Sequence, residues 1–326
     1  MPLLSVRGLR TIYRTPNGDA LALNGLDLDL EQGEMLGLIG ESGCGKTTAG
    51  YSILRAVKYP GMMEKGRVTL DGIELSALSA EELRKHLWKD IAMIPQCAMN
   101  ALNPSYRIGT QISEAISTHE PSAHKEEIAH RVKDLLASVG LSSIWAEAFP
   151  HKLSGGMKQR AIIAMALACD PKVIIADEST TGLDVLVQAQ IMALLKQIQV
   201  KRKLGIILIS HDLPMVADIC DRIGIMYAGT LIEELRAEDL GHMVLHPYTK
   251  ALVASQIHLE DIHSTVRPID GIVPSLMERD PGCRFRERCR YRVDRCSREK
   301  PALVSVGPGH SCACHVAVPG GRVDDV

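Results

Sequence analysis

Aromatic residues are nearly missing from this chain, with two Trp and two Phe among 326 residues. Surfaces that stack nucleobases need aromatic faces, so a single-stranded nucleic-acid binder is disfavoured. Net charge is also scarce. The 37 basic and 39 acidic side chains leave a formal charge of −2, and no overall field draws the protein to nucleic acid or anionic lipid. No apolar run reaches the ~18 residues of a membrane-spanning helix. The N-terminus lacks a signal-peptide pattern, and no internal repeat is evident. These absences predict a cytosolic protein that spans no membrane itself and binds no nucleic acid. Cysteine, by contrast, is plentiful. Nine are present, five of them between Cys283 and Cys314, and a disulfide framework is disfavoured in a cytosolic chain.

What is present begins with Gly40-Glu41-Ser42-Gly43-Cys44-Gly45-Lys46-Thr47. It fits G-x-x-x-x-G-K-[ST], the phosphate-binding loop of P-loop nucleotidases. Met35–Ile39 before it predicts a buried strand, and the stretch from Thr48 to Val57 predicts a helix. Glycines let successive backbone N–H groups turn inward around phosphates, and the helix N-terminus adds its positive dipole end. Lys46 is placed to reach the β/γ-phosphates and Thr47 to ligate Mg²⁺. A chance glycine-rich strand–helix turn is the bland alternative. Cys44 reads as a small filler with an available thiol.

The surrounding pattern is α/β. Alternating residues over 3–12 and 20–30 flank Pro16-Asn17-Gly18 and predict an N-terminal antiparallel hairpin. Short strands are expected at Arg67–Leu70 and Asp90–Ile94. From Cys97 to about Pro150 the spacing turns helical, with Gly140 as a C-cap. Beyond it, helices at 154–169, 185–201 and 214–220 alternate with apolar strands at 173–176, 206–209 and 223–226. That alternation predicts a mostly parallel buried sheet. After Leu240 the chain becomes Pro-, Arg- and Cys-rich with little periodicity, and a domain boundary falls there.

The strand Val173–Ala176 ends in Asp177-Glu178. Phosphoryl transfer divides labour between one carboxylate for the metal and one for the attacking water. Asp177 fits the first role and Glu178 the second, with a helix N-cap as the bland reading of either. His211 follows the strand ending at Ser210, at the sheet edge that carries Asp177 and Glu178, and is placed to donate to a γ-phosphate.

The sequence Leu153-Ser154-Gly155-Gly156-Met157-Lys158-Gln159-Arg160 resembles the signature of ABC-transporter ATPases. The order of the other motifs agrees with that family over roughly residues 3–240. The resemblance implies a RecA-like P-loop core carrying the N-terminal antiparallel region, with a helical insert at about 97–155. It implies Gln96 as the Q-loop glutamine, which senses Mg²⁺ and the membrane partner. It implies His211 as the switch histidine, Tyr13 as the adenine-stacking aromatic and Asp184 as the end of the D-loop. Gly182 stands where that loop usually has Ala. Catalysis then falls to Glu178, His211 and Gln96, and Mg²⁺ to Thr47, Gln96 and Asp177. The nucleotide set is Tyr13, Gly40 to Thr48, Ser154, Gly155, Gly156, Gln159 and Asp184. In this family ATP lies between the phosphate loop of one domain and the signature of another, so a partner ATPase, identical or homologous, is expected.

His246-Pro247-Tyr248-Thr249, Gly271-Ile272-Val273-Pro274 and the cysteine tail narrow the resemblance to dipeptide and oligopeptide importers. A helix from Lys250 to about Ile257 is expected after the first of these. Residues 241–326 then form a subgroup-specific extension. The subgroup implies two transmembrane permease subunits, a second homologous ATPase, an extracytoplasmic binding protein and a peripheral place on the cytoplasmic face of the inner membrane. Nickel, opine and oligosaccharide importers use related ATPases. The tail thiols fit zinc poorly, because only Cys312 and Cys314 are closely spaced. An iron–sulfur cluster on four thiolates is the other reading. The family resemblance implies [4Fe-4S] on Cys283, Cys289, Cys296 and Cys314, with Cys312 spare. Neighbouring Arg284, Arg286, Arg288, Arg290, Arg292 and Arg295 either offset the charge of such a site or form a solvated basic face.

Overall fold

The computed structural model describes residues 1–96, 101–255, 269–277 and 280–317. The first half holds β1 (Leu4–Thr15), β2 (Gly18–Leu30), β3 (Met35–Ile39), α1 (Lys46–Ile53), β4 (Gly61–Leu70), β5 (Ile73–Glu74), α2 (Ala80–Arg84), β6 (Ile91–Ile94), α3 (Ile108–His119) and α4 (Lys125–Ser138). The second holds α5 (Gly155–Ala166), β7 (Val173–Asp177), α6 (Val185–Arg202), β8 (Gly205–Ile209), α7 (Leu213–Ile219), β9 (Arg222–Tyr227), β10 (Thr230–Arg236), α8 (Pro247–Ala254), α9 (Arg295–Arg298), β11 (Val304–Gly307) and β12 (His310–Cys312). Among the described residues, no helix is long and apolar enough to cross a membrane.

The chain forms two compact units, each drawn from several stretches of the sequence. One comprises Met1–Leu4, Leu30–Met35 and Asp71–Leu208. Its strands run in the order β8-β7-β6. β6 and β7 are parallel, with Ile91 opposite Val173 and Ile94 opposite Ala176. Every residue of β6 and β7 is buried, which is why both read as unbroken apolar runs. Parallel neighbours need a crossover, and here α3, α4 and α5 lie in the connection and pack on one another. Gly140, at φ +75°, lies just past α4, where a side chain would be strained. The five-residue α2 was not legible beforehand; Ser79 and Glu82 close it with a capping box.

The other unit comprises Ser5–Asp29, Leu36–Leu70 and Ile209–Val326. β1 and β2 are joined by two residues and lie side by side in the order β2-β1-β4; a link that short makes them antiparallel. β4 starts at Gly61, six residues before the expected strand. A second group runs β11-β12-β10-β9-β3. β3 pairs parallel with β9, Ile39 facing Ile225, and β9 pairs antiparallel with β10. The cysteine tail then adds a strand: β12 pairs antiparallel with β10, Cys312 facing Glu233. β11 and β12 were not predicted, because their seven residues carry no alternation. α8 begins at Pro247 rather than Lys250, with Pro in the first turn where its missing N–H costs nothing. Residues 256 and 257 of the predicted helix, and 97–100 of the predicted insert, lie outside the described residues.

Candidate nucleotide-binding site and C-terminal extension

In the second unit the loop Gly40–Gly45 joins β3 to α1. Gly40, Gly43 and Gly45 all have positive φ. A Cβ on Gly40 would meet Met226 O at 2.2 Å, and one on Gly45 would meet Ala22 O at 2.5 Å. No other residue satisfies both the backbone and the space. Lys46 is buried, and its Nζ donates to Gly40 O at 2.7 Å and Glu41 O at 3.1 Å. The ammonium is therefore held inside the turn. Cys44 is 1 % exposed. Burial pushes its thiol up, against the opposing charge of Lys46. This corrects the expectation of an available thiol: Cys44 is a packed filler.

Tyr13 is half-buried on β1, its hydroxyl 3.4 Å from Thr48 Oγ1. A Cβ on Gly61 would meet the Tyr13 ring at 2.7 Å, so part of the ring is covered within the unit. His211 is exposed just past β8. Ser210 before it donates its N–H to Leu38 O at 3.3 Å, fixing the turn beside the strand that feeds the phosphate loop.

In the first unit, Asp177 is fully buried at the end of β7. Glu178 follows at φ +42°. A bulky residue in the left-handed region costs about 1–3 kcal/mol and points to a functional position. Gln96 lies two residues past β6, at the same edge as Glu178. Its Nε2 donates to Glu178 Oε2 at 2.7 Å. The parallel register of β6 and β7 is what brings these two together. Ser154 is exposed and caps α5, accepting from the Met157 N–H at 3.4 Å. A Cβ on Gly156 would meet Val187 Cγ1 at 2.7 Å, so this glycine also lets α5 approach α6. Asp184 caps α6, accepting from the Val187 N–H at 2.9 Å. Gln159, on the same helix, is 1 % exposed, whereas Ser154 is exposed.

The extension is built into the second unit by one buried carboxylate. Glu233 of β10 is 0 % exposed. It accepts from the N–H of Leu245 at 2.7 Å and of His246 at 3.1 Å, and from His310 Nε2 at 2.8 Å. His246 Nδ1 in turn accepts from the Tyr248 N–H at 3.0 Å and so caps α8. Burial lowers the His246 imidazole to about 4, despite the nearby Glu233 charge. Tyr248 is fully buried and packs against Tyr227, tilted, and Phe285, edge-to-face, with ring centroids 4.7 and 5.5 Å away.

Cys283, Cys289, Cys296 and Cys314 share one neighbourhood. Burial raises the Cys283 thiol to about 11, with Cys296, Cys314 and Cys289 adding to the rise. Backbone N–H groups two residues on reach three of them: Phe285 to Cys283, Tyr291 to Cys289 and Val316 to Cys314. Cys312 lies opposite Glu233 across the strand pair, and burial, with the Glu233 charge adding, pushes its thiol up. The donor set suits a thiolate-held group, but among the described residues no cluster has the geometry to hold a metal ion. Arg286, Arg288, Arg290, Arg292 and Arg295 pair with Asp280, Glu41, Asp270, Glu287 and Glu299, and the Arg292 charge also favours the Cys289 thiolate.

A glycine loop with an internal lysine, a strand-end carboxylate pair and a capped Ser-Gly-Gly helix define the ATP-binding cassette class. The family description "ABC transporter" matches residues 23–181. The description "Oligopeptide/dipeptide transporter, C-terminal region" matches residues 232–296. The chain is 38% identical over 317 residues to the dipeptide transport ATP-binding protein DppD of Escherichia coli K12, covering 97% of each. It is 39% identical over 315 residues to DppD of Bacillus subtilis 168, covering 96% of this chain and 94% of that one. Among solved structures it resembles the dimeric ATP-binding cassette MJ0796 in a post-hydrolysis state with ADP and Pi. That match has a TM-score of 0.65 at 27% identity, over 72% of this chain and 98% of that one. The chain belongs to the oligopeptide/dipeptide family of ABC-transporter ATP-binding proteins.

Proposed function

We propose that this chain is the ATP-hydrolysing subunit that powers import of di- or oligopeptides through a membrane transporter. The observation that carries the reading is identity to dipeptide transport ATP-binding proteins over 97% of the chain, the extension included. ATP and Mg²⁺ are the nucleotide and metal of the ABC class. Lys46 and the loop N–H groups grip the phosphates; Thr47, Gln96 and Asp177 serve the metal. Glu178 polarises the attacking water, and its bond to Gln96 ties that base to the residue expected to sense the membrane partner. Ser154, Gly155 and Gly156 serve a second ATPase subunit's nucleotide, so closure of a pair of ATPases drives the cycle. Residues 1–240 are the cassette, with a helical insert near 97–155, and 241–326 the extension. The subunit works peripherally on the cytoplasmic face, with two permease subunits and an extracytoplasmic binding protein.

The proposal includes a [4Fe-4S] cluster on Cys283, Cys289, Cys296 and Cys314, which would cross-link the tail. Supporting it is the shared neighbourhood of the four thiols, though burial raises those of Cys283, Cys289 and Cys314 above the ordinary value and so opposes the thiolate that ligation needs. Protein purified without oxygen should carry iron and acid-labile sulfide, and the absence of both would remove the cluster. For the transport reading, ATPase activity is measured on the assembled transporter in lipid, with empty and loaded binding protein. Stimulation by peptide-loaded binding protein alone is expected. Stimulation by a nickel chelate or an oligosaccharide instead would overturn the substrate class.

A further inference from the structure

At Glu41 the phosphate loop is held by the C-terminal extension. Glu41 donates its backbone N–H to the Tyr248 hydroxyl at 2.9 Å. Its backbone O accepts from Lys46 Nζ at 3.1 Å. Its carboxylate takes a two-pronged grip from Arg288: Nη1 to Oε2 at 2.8 Å and Nη2 to Oε1 at 3.0 Å. Tyr248 and Arg288 both belong to the C-terminal extension, and Arg288 lies 247 residues from its partner.

Arg288 is committed to this position. Its side chain is 4% exposed. Its remaining donors are also satisfied: Nε to Asp270 O at 2.9 Å, Nη2 to Ile269 O at 3.1 Å and Nη1 to Tyr227 OH at 3.2 Å. The guanidinium lies 5.8 Å from the Tyr227 ring centroid and 5.9 Å from that of Phe285. The Glu41 bond, with Tyr227 contributing and burial opposing, raises the guanidinium further above its already high ordinary value. A fork so fully occupied has one geometry, and it transmits that geometry to Glu41. The charge also matters. A carboxylate one residue into a loop that receives polyphosphate repels the incoming anion unless a cation offsets it.

We propose that Arg288 is a positioning residue for nucleotide binding. Acting through Glu41, it fixes the first turn of the phosphate loop and neutralises its one acidic side chain, so the extension sets ATP affinity. The proposal rests on reading Gly40–Thr47 as the ATP loop.

The test uses the full chain for ATP binding and the assembled transporter for turnover. Arg288→Met is expected to weaken ATP binding and raise the ATP KM about tenfold or more, the scale of one charge-assisted grip. At saturating ATP, kcat should stay within about threefold, because the chemistry residues are untouched. The discriminating variant is the double change Arg288→Met with Glu41→Gln. If Arg288 works through Glu41, removing the carboxylate returns ATP affinity to within a few-fold of Glu41→Gln alone. A merely structural arginine would lower ATP affinity by the same factor in the Glu41→Gln background as in wild type, and that additive result overturns the proposal. So does an Arg288→Met protein within twofold of wild type. Should Arg288→Met not fold, Arg288→Lys keeps the charge and stem but loses the fork, and the same cycle is read on it. Lys46→Ala is the control. Unchanged ATP binding there would overturn the loop reading itself. Lost binding there, with silent Arg288 variants, would overturn only the positioning role.

Discussion

Acid should loosen this protein at one identifiable histidine. His246 is neutral in the folded state because it is buried, and its imidazole sits at about 4 against an ordinary 6.5. As pH falls below about 6.5 the unfolded chain takes up this proton first. Folding stability therefore declines between pH 6.5 and 4, and the group contributes no further change below that. At pH 5 the unfolded histidine is almost fully protonated and the folded one is not. The loss between pH 7 and pH 5 from this residue alone is about 2 kcal/mol. Protonation also removes the Nδ1 lone pair that caps α8 through the Tyr248 N–H. His246→Asn keeps a capping acceptor but does not titrate. Urea unfolding followed by circular dichroism at pH 7, 6 and 5 measures the effect for both proteins. The wild type should lose about 2 kcal/mol more than His246→Asn across that range. Parallel pH dependences in the two proteins would refute the assignment.

Three further outcomes are expected. Glu178→Gln should retain ATP binding and slow hydrolysis by roughly 10²–10⁴-fold, the contribution of a positioned base; wild-type turnover would take Glu178 out of its role. Cys44 should react sluggishly with iodoacetamide in the native chain, because it is 1 % exposed with a raised thiol; rapid labelling localised to Cys44 by mass spectrometry would contradict its burial. Gly45→Ala should cost about 1–3 kcal/mol in stability, since φ is +105° and the new methyl meets Ala22 O at 2.5 Å; an unchanged unfolding midpoint would show that the loop has another conformation.

The sequence carried the motif residues clearly, because phosphate chemistry demands fixed residue types at fixed spacing on strand ends. The loop at Gly40–Thr47, the carboxylates after β7 and the capped helix at Ser154 lie where those demands put them. Parallel strands were legible for the same reason: burial on both faces leaves an unbroken apolar run. Elements without a period were not legible. β11 and β12 are stabilised by the edge of β10 rather than by any pattern of their own. Long-range polar contacts were equally hidden. Nothing local to Glu41 or Arg288 announces that they meet, and the arginines of the tail looked alike until burial singled one out.

The position of the extension follows from where its polar groups find partners. A tail poor in apolar periodicity cannot build a core of its own. It is ordered instead by attaching to groups that the cassette already presents. One attachment is Glu233, whose fully buried carboxylate gathers Leu245, His246 and His310. A buried carboxylate left with unfilled acceptors would be costly, so this contact fixes register as well as location. The second attachment is the Tyr227–Tyr248–Phe285 cluster. These are among the few aromatic rings in the chain, and they are concentrated beside the residue at which the phosphate loop begins its turn. A chain with two phenylalanines places one of them in the packing that seats Arg288 against Glu41. Phe285 is therefore the residue whose loss should reproduce the Arg288 phenotype without touching a charge. Phe285→Leu, which fills part of the same volume, should raise the ATP KM in the direction of Arg288→Met but by a smaller factor. An ATP KM that stays at the wild-type value would mean that the guanidinium holds its geometry without the ring.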